Sequence, residues 1–188
     1  MKKISIIVAV FILAVDVNGQ KNATVSFEKW ISLQGVGGVA MSPDGKTVVY
    51  SVGSTDWSNN TYDSELWLYR EGETPFQLTR TAKGSSFGAQ FTPNSKWISF
   101  VADRGDKNQI FLIAVAGGEA FPITKDEDGI GNYEWSPDGK YIAFTKADQD
   151  SKKVKTGKER YGAYGVEGEE FKLNHLWLIR FNYDSILG

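Results

Sequence analysis

Trp135–Asp148, "WSPDGKYIAFTKAD", joins a tight turn to a short apolar stretch. Ser-Pro-Asp-Gly is turn chemistry, because Pro sets φ at the second turn position, Asp bonds back to the backbone and Gly accepts a positive φ. The apolar residues that follow are typical of a strand. The segment therefore predicts a turn that leads directly into a β-strand.

Nearly the same residues occur twice more, as "MSPDGKTVVYSVGS" and "FTPNSKWISFVAD". The second turn residues of the three copies are Pro43, Pro93 and Pro137, which lie 50 and 44 residues apart. Repetition at such a period indicates an architecture made of tandem units.

Other segments repeat in phase with the turns. "ELWLYR" at residue 65, "QIFLIA" at 109 and "HLWLIR" at 175 are versions of one strand, and "TPFQLT" and "EAFPIT" close the first two units. Four antiparallel strands in about 45 residues are typical of a β-propeller blade. We predict an all-β chain that forms a partial β-propeller of about three four-stranded blades with SPDG-type repeats, over residues 37–80, 85–125 and 130–182.

The third unit departs from the other two. Its second and third strands are 22 residues further apart, which predicts an inserted loop over 147–174, with the basic run Lys152–Arg160 as a solvated part of that loop. After "HLWLIR" no counterpart of "FQLT" or "FPIT" follows, so the third blade is expected to lack its fourth strand. The incomplete propeller 37–188 would then expose a strand edge near Leu176–Ile179, through which self-association is possible.

The N-terminal residues have the pattern of a secretory signal. Lys2 and Lys3 precede the apolar run Ile4–Val15, so residues 1–19 are predicted to be a signal peptide and 20–36 a lead-in segment. The chain has no Cys, and without residues 1–19 it has 19 basic and 22 acidic side chains. This balance predicts no nucleic-acid partner. We expect an exported protein, in the bacterial periplasm, with no membrane span after signal cleavage.

Three quoted segments carry a family resemblance: the SPDGK turns, "FVADRGDKNQIFLI…GGEAFPIT" and "GEEFKLNHLWLI". Together they resemble the propeller of secreted prolyl oligopeptidase-family serine peptidases, in the branch of bacterial dipeptidyl peptidases and acylaminoacyl peptidases. The resemblance implies a propeller that gates peptides to a C-terminal α/β-hydrolase domain with a Ser, Asp and His. That domain is absent from this chain, which is therefore expected to be truncated before it.

Few residues are candidates for chemistry. "GSSFG", Gly84–Gly88, matches the nucleophile-elbow pattern but runs into a strand, whereas an elbow leads into a helix. The only His, His175, opens a strand. Glu167, Glu169 and Glu170 could hold a peptide ammonium group, or form an exposed acidic loop. We predict no catalytic, cofactor-binding or metal residue and no cofactor.

The first functional hypothesis is a peptide-gating propeller portion of an exported serine oligopeptidase or dipeptidyl peptidase, without catalytic activity of its own. An alternative is a stand-alone periplasmic binding or scaffolding propeller that completes its ring by self-association. A propeller of the Tol translocation system ranks third, because it would need a further α/β domain before the first blade.

Overall fold

The computed structural model describes residues 24–82, 84–104, 107–162 and 172–184. Strands dominate, and they form three antiparallel sheets. Sheet 1 has the order β1-β2-β3-β4, sheet 2 the order β5-β6-β7-β8 and sheet 3 the order β11-β10-β9. The elements are α1 (Phe27–Ile31), β1 (Gly35–Met41), β2 (Thr47–Asp56), β3 (Thr61–Arg70), β4 (Phe76–Gln77), β5 (Ser86–Phe91), β6 (Trp97–Ala102), β7 (Gln109–Ala114), β8 (Phe121–Pro122), β9 (Tyr133–Trp135), β10 (Tyr141–Ala147), α2 (Lys152–Tyr161) and β11 (Asn174–Arg180).

The prediction of an all-β chain with antiparallel four-stranded sheets is confirmed in sheets 1 and 2. Sheet 3 has three strands within the described residues, and β11 is one of its edges. The predicted loop over Lys152–Arg160 is wrong, because these residues form α2. Ser151 caps this helix by accepting a hydrogen bond from the Val154 N–H, and the long Lys, Glu and Arg side chains favour helix despite Gly157.

The three repeated turns share one hydrogen-bond pattern. In the first, Ser42 Oγ donates to Asp44 Oδ1 (2.5 Å) and accepts from the Thr47 N–H (2.9 Å), while Asp44 Oδ1 accepts from the Lys46 N–H (3.1 Å). Equivalent bonds tie each later turn to the strand that follows it, through Thr92 with Asn94 and through Ser136 with Asp138. The first and third turns also hold the pKa of Asp44 and Asp138 below the usual range, chiefly through the serine hydroxyls. The repeat in sequence is thus a repeat of local hydrogen bonding.

One turn carries a conformational strain that the others avoid. Gly45 and Gly139 occupy the left-handed region with φ of 72° and 68°, and Ser95 occupies the same place in the second turn with φ of 58°. A residue with a Cβ is disfavoured in this region by about 1–2 kcal/mol. The second turn is therefore the least favourable of the three in its backbone.

Neighbouring sheets pack face to face. We call the face of a sheet that is directed toward the following sheet its forward face. The opposite face of the same sheet is its rear face. Leu66 and Leu68 on the forward face of sheet 1 share a core cluster with Phe100 and Phe111 on the rear face of sheet 2. On the forward face of sheet 2, Ile110 and Leu112 share a second cluster with residues of sheet 3. Sheet 2 is covered on both faces, which explains why apolar residues of β6 and β7 point to both faces of the sheet instead of alternating with polar ones.

The second sheet interface also contains a buried polar link. Ser99 Oγ of β6 accepts hydrogen bonds from the Tyr133 hydroxyl and from Trp135 Nε1, both at 2.8 Å. Burial raises the pKa of Tyr133, so this hydroxyl stays protonated and able to donate. The two bonds hold β9 in a single position against sheet 2, which apolar contacts alone would specify less sharply.

The turn geometry gives a first prediction. Ser95→Gly should raise the free energy of unfolding by about 1 kcal/mol, and Gly45→Val, where nothing lies within 4 Å of the new Cβ, should lower it by about 1–2 kcal/mol, because each exchange changes the strain at a positive φ. Gly35→Val is the matched control, since no atom lies within 4 Å of the new Cβ and its φ is not in the positive region. Urea unfolding measures all three, and a Ser95→Gly variant no more stable than the parent would contradict the assignment.

Candidate functional site

The string that matches a nucleophile elbow is not an exposed turn. Ser86, its central serine, opens β5 with no exposed surface, and its Oγ has no hydrogen-bond partner in the described structure. A nucleophile needs a base within hydrogen-bond reach and access to substrate. Ser86 has neither, so it is part of the core of sheet 2.

His175 lies at the start of β11 and is paired with an acid. Its Nε2 is 2.7 Å from Asp148 Oδ1, and this contact holds the pKa of Asp148 below its usual range. Asp148 Oδ2 also accepts a hydrogen bond from the Leu173 N–H at 3.2 Å. The pair joins the two ends of the inserted segment and makes no contact with Ser86. Glu167, Glu169 and Glu170 lie outside the described residues.

A polar groove of about 690 Å³ opens where the ends of sheets 1 and 2 meet, and we call it the acidic groove. Its described lining contains three carboxylates and no Lys or Arg side chain. The lining residues are Asp56, Asn59, Thr61, Tyr62, Asp63, Thr81, Ala82, Gly84, Ser85 and Asp103. Such a surface suits a cationic or hydrogen-bond-donating ligand.

Hydrogen bonds from backbone N–H groups to side chains fix Ser85 and Asp103, which lie at the floor of the acidic groove. Ser85 Oγ accepts from the Ser64 N–H at 3.1 Å, and Asp103 Oδ1 accepts from the Ser85 N–H at 3.2 Å. Gly84 lies directly beneath Asp103 with a φ of 88°, and a Cβ there would come within 2.0 Å of the Asp103 carboxylate. Only glycine permits this close approach without displacement of Asp103.

The buried side chain of Glu65 fixes the segment that forms this floor. Glu65, 6% exposed, accepts hydrogen bonds from Thr79 Oγ1 (2.5 Å) and from the N–H and hydroxyl of Thr81 (2.5 and 2.6 Å). In sheet 2 the equivalent Gln109 bonds Thr124 Oγ1 and the Asp126 N–H, both at 2.9 Å. In the first two units, the residue before the L-W-L or I-F-L stretch thus anchors the segment that closes the unit.

The carboxylates of the acidic groove differ in their environments. Burial raises the pKa of Asp63, and the nearby Glu65 carboxylate raises it further. Hydrogen bonds from Asn59, by its side chain at 2.7 Å and its N–H at 3.1 Å, hold the pKa of Asp56 below its usual range. A positively charged partner favours the ionised form of such a carboxylate, and Asp63 lines the groove where such a partner would enter.

A second groove, of about 600 Å³, lies between sheets 2 and 3 and shares Asp103 with the first. Its lining mixes both signs of charge, since Lys107, Lys155 and Lys172 lie among four aspartates. Asp150 pairs with Lys158 of α2 at 3.0 Å and with Lys172 at 2.5 Å. Both pairs join Asp150, which lies between β10 and α2, to positive side chains, so this groove offers less unpaired negative charge than the acidic groove.

Sequence reasoning did not single out Glu65, Asp63 or Asp103. The signal for Glu65 was its repeated position at the start of each third strand, where an amide or carboxylate oxygen recurs in the first two units. Among the residues that the structure describes, no group of His, Asp or Glu side chains is arranged to hold a metal ion, and no helix has the length and apolar character to cross a membrane.

The chain is similar to known peptidases in sequence. It is 27% identical over 154 residues to the uncharacterised peptidase YuxL of Bacillus subtilis, covering 78% of this chain and 23% of that protein. It is 31% identical over 129 residues to dipeptidyl-peptidase 5 of Porphyromonas gingivalis, covering 68% of this chain and 19% of that protein. The chain thus spans less than a quarter of the length of these relatives. No protein-family model matches it.

Solved structures agree with the fold. The acylaminoacyl peptidase of Pyrococcus horikoshii superposes with a TM-score of 0.60 at 12% identity, covering 80% of this chain and 24% of that one. The AtxE2 isopeptidase with bound Astexin3-dC4 gives a TM-score of 0.62 at 13% identity, covering 81% and 30%. At these identities the likeness concerns the fold, which is of the propeller type.

The contact at Gly84 gives a second prediction. Gly84→Ala should lower the free energy of unfolding by more than Gly72→Ala, because both have a positive φ but only Gly84 has atoms close to the new Cβ. The strain at φ alone is about 1–2 kcal/mol, and the excess at Gly84 measures the contact with Asp103. Thermal unfolding of the two variants checks this. Equal losses would show that Asp103 does not pack on Gly84.

Proposed function

We propose that the three sheets are consecutive blades of a β-propeller that serves an exported serine peptidase of the prolyl oligopeptidase type. In this role the chain admits and orients peptides and supplies no catalytic residue itself. The observation that carries the proposal is the joint presence of peptidase relatives and a propeller-type fold over most of the chain. The predicted signal at residues 1–19 supports export to the periplasm.

We further propose that the acidic groove receives the ammonium group at the free amino terminus of a peptide. Asp63 is partly buried at the groove wall, and the Asp103 carboxylate lies at the adjoining sheet. An ammonium group satisfies carboxylates by charge-assisted hydrogen bonds. Thr61, Thr81 and Ser85 add hydroxyl groups that can bond the first peptide units.

The burial of Ser86 gives a third prediction. The purified chain should not hydrolyse dipeptide or acyl-peptide chromogenic substrates, and a serine-directed phosphonate probe should not label it, since Ser86 is buried without a base. Ser86→Ala and Ser85→Ala should leave the background rate unchanged. Turnover that a serine-directed inhibitor abolishes would refute this part of the proposal.

A fourth prediction tests the acidic groove through peptide binding. A fluorescent tripeptide with a free amino terminus should bind about tenfold more tightly than its acetylated form, which is the cost of about one charge-assisted hydrogen bond. Asp63→Asn should remove this preference, whereas the exposed Glu119→Gln has the same charge change elsewhere and should not. Equal binding of the free and acetylated peptides would contradict an amino-terminal site.

The preference for the peptide with a free amino terminus should depend on pH. The free-amine preference requires ionised Asp63, whose pKa is raised by burial and by Glu65. As pH falls, the preference should therefore disappear at a higher pH than an ordinary aspartate would give, and it should be fully present above the raised pKa. A preference that persists in acid would assign the binding to another carboxylate.

A further inference from the structure

Glu65 and Gln109 occupy equivalent positions in sheets 1 and 2 and perform the same structural task. Each accepts hydrogen bonds from a threonine hydroxyl and from a backbone N–H of the segment that closes its unit. Gln109 also donates through Nε2 to the carbonyl oxygen of Asp126 at 2.7 Å. A neutral amide therefore anchors the closing segment of sheet 2, and the anchoring of sheet 1 does not require the negative charge of Glu65.

The charge of Glu65 lies where a charge is costly. Glu65 is 6% exposed, whereas the neutral Gln109 is only half-buried. A buried carboxylate is normally compensated by a positively charged partner. The hydrogen-bond donors that the described residues offer to Glu65 are all neutral, namely two threonine hydroxyls and one backbone N–H. Arg80, close to these donors in the chain, instead bonds Gln77 Oε1 at 3.1 Å.

The charge of Glu65 acts on the acidic groove through Asp63. One residue separates the two on β3, so their side chains leave the strand on the same side. Burial raises the pKa of Asp63, and the Glu65 carboxylate raises it further. The other titratable side chains of the described lining are Asp56, Tyr62 and Asp103, and this lining contains no Lys, Arg or His. A positively charged group in the groove would therefore be attracted by Glu65 as well as by Asp63.

We propose that Glu65 is a positioning residue of the acidic groove, and that its buried negative charge increases the affinity of Asp63 for a positively charged group. Its hydrogen bonds hold Thr81 at the groove floor, and its charge acts without contact with the ligand. The identification of that ligand as a peptide amino terminus rests on the proposed function. The effect of Glu65 on Asp63 does not.

Glu65→Gln separates the charge from the hydrogen bonds, because Gln109 shows that an amide can make them. Urea unfolding of this variant at neutral pH should show no loss of stability, since the bonds are kept and the repulsion of Asp63 is removed. Gln109→Glu is the matched reverse exchange and should be less stable than the parent, because the donor to Asp126 is lost. A Glu65→Gln variant that is less stable than the parent would show that the charge is structural, which overturns the proposal.

Ethylammonium chloride is a minimal probe, because it carries the charge of a peptide amino terminus and no peptide unit. The Asp63 carboxyl signal in NMR should titrate at lower pH when ethylammonium chloride replaces sodium chloride, since a bound cation favours the ionised form. The dissociation constant of ethylammonium should be about threefold higher in Glu65→Gln, because a charge without direct contact still contributes to the attraction. It should be unchanged in Gln109→Glu. Equal constants in the parent and Glu65→Gln overturn the proposal.

The titration of Asp63 without a probe distinguishes an effect of charge from a displaced groove floor. In Glu65→Gln the pKa of Asp63 should be lower than in the parent, because one of its two main causes is removed. It should stay above that of an ordinary aspartate, because burial remains. An unchanged titration would show that Glu65 does not act on Asp63. A fully ordinary titration would show that the floor has moved, and either result overturns the proposal.

The free and acetylated tripeptides distinguish this proposal from the proposed function. Glu65→Gln should reduce the preference for the free amino terminus by about threefold, for the same electrostatic reason. If the parent binds both peptides equally while ethylammonium binding depends on Glu65, the amino-terminal assignment fails and the role of Glu65 stands. If the preference is present and equal in the parent and the variant, the role of Glu65 fails and the amino-terminal assignment stands.

Discussion

The packing of two aliphatic side chains of one sheet on the aromatic rear face of the next sheet is the contact on which the structure depends. Leu66 and Leu68 bury themselves against the cluster that contains Phe100, and the next sheet repeats the contact with Ile110 and Leu112. None of the three sheets could bury both of its own faces, so each becomes stable only through its neighbours. The grooves arise from the same arrangement, since they open where the ends of neighbouring sheets meet.

Polar contacts decide the details that apolar packing leaves open. The bonds of Ser99 to Tyr133 and Trp135 fix how sheet 3 meets sheet 2, and the bonds of Glu65 to Thr79 and Thr81 fix the floor of the acidic groove. A buried polar group without partners is costly, so each of these networks admits few alternatives. This is why a groove lined by short side chains can hold a defined arrangement of carboxylates.

Prediction from sequence succeeded where the signal is local. The turns were predictable because Ser42, Asp44 and their equivalents bond within five residues of themselves. Helix α2 was missed because Gly157 and the polar composition suggested a loop, while the Ser151 cap was not recognised. The acidic groove was missed because Asp63 and Asp103 belong to different sheets, and no pattern within one unit brings them together.

By itself, the sequence determined the strands, the turns and their order, because each repeat encodes its own hydrogen bonds and its own apolar stretches. That the chain supplies no catalytic residue stays a prediction; in the structure Ser86 is buried without a hydrogen-bond partner and His175 pairs with Asp148. Only the tertiary structure decided which faces are buried. Equivalent aliphatic side chains are 0% exposed in sheets 1 and 2 (Leu66, Leu68, Ile110, Leu112) and mostly exposed in sheet 3 (Leu176, Leu178), although their sequences are alike. The burial of a face depends on which sheet packs against it, and the residues of the strand do not specify that sheet.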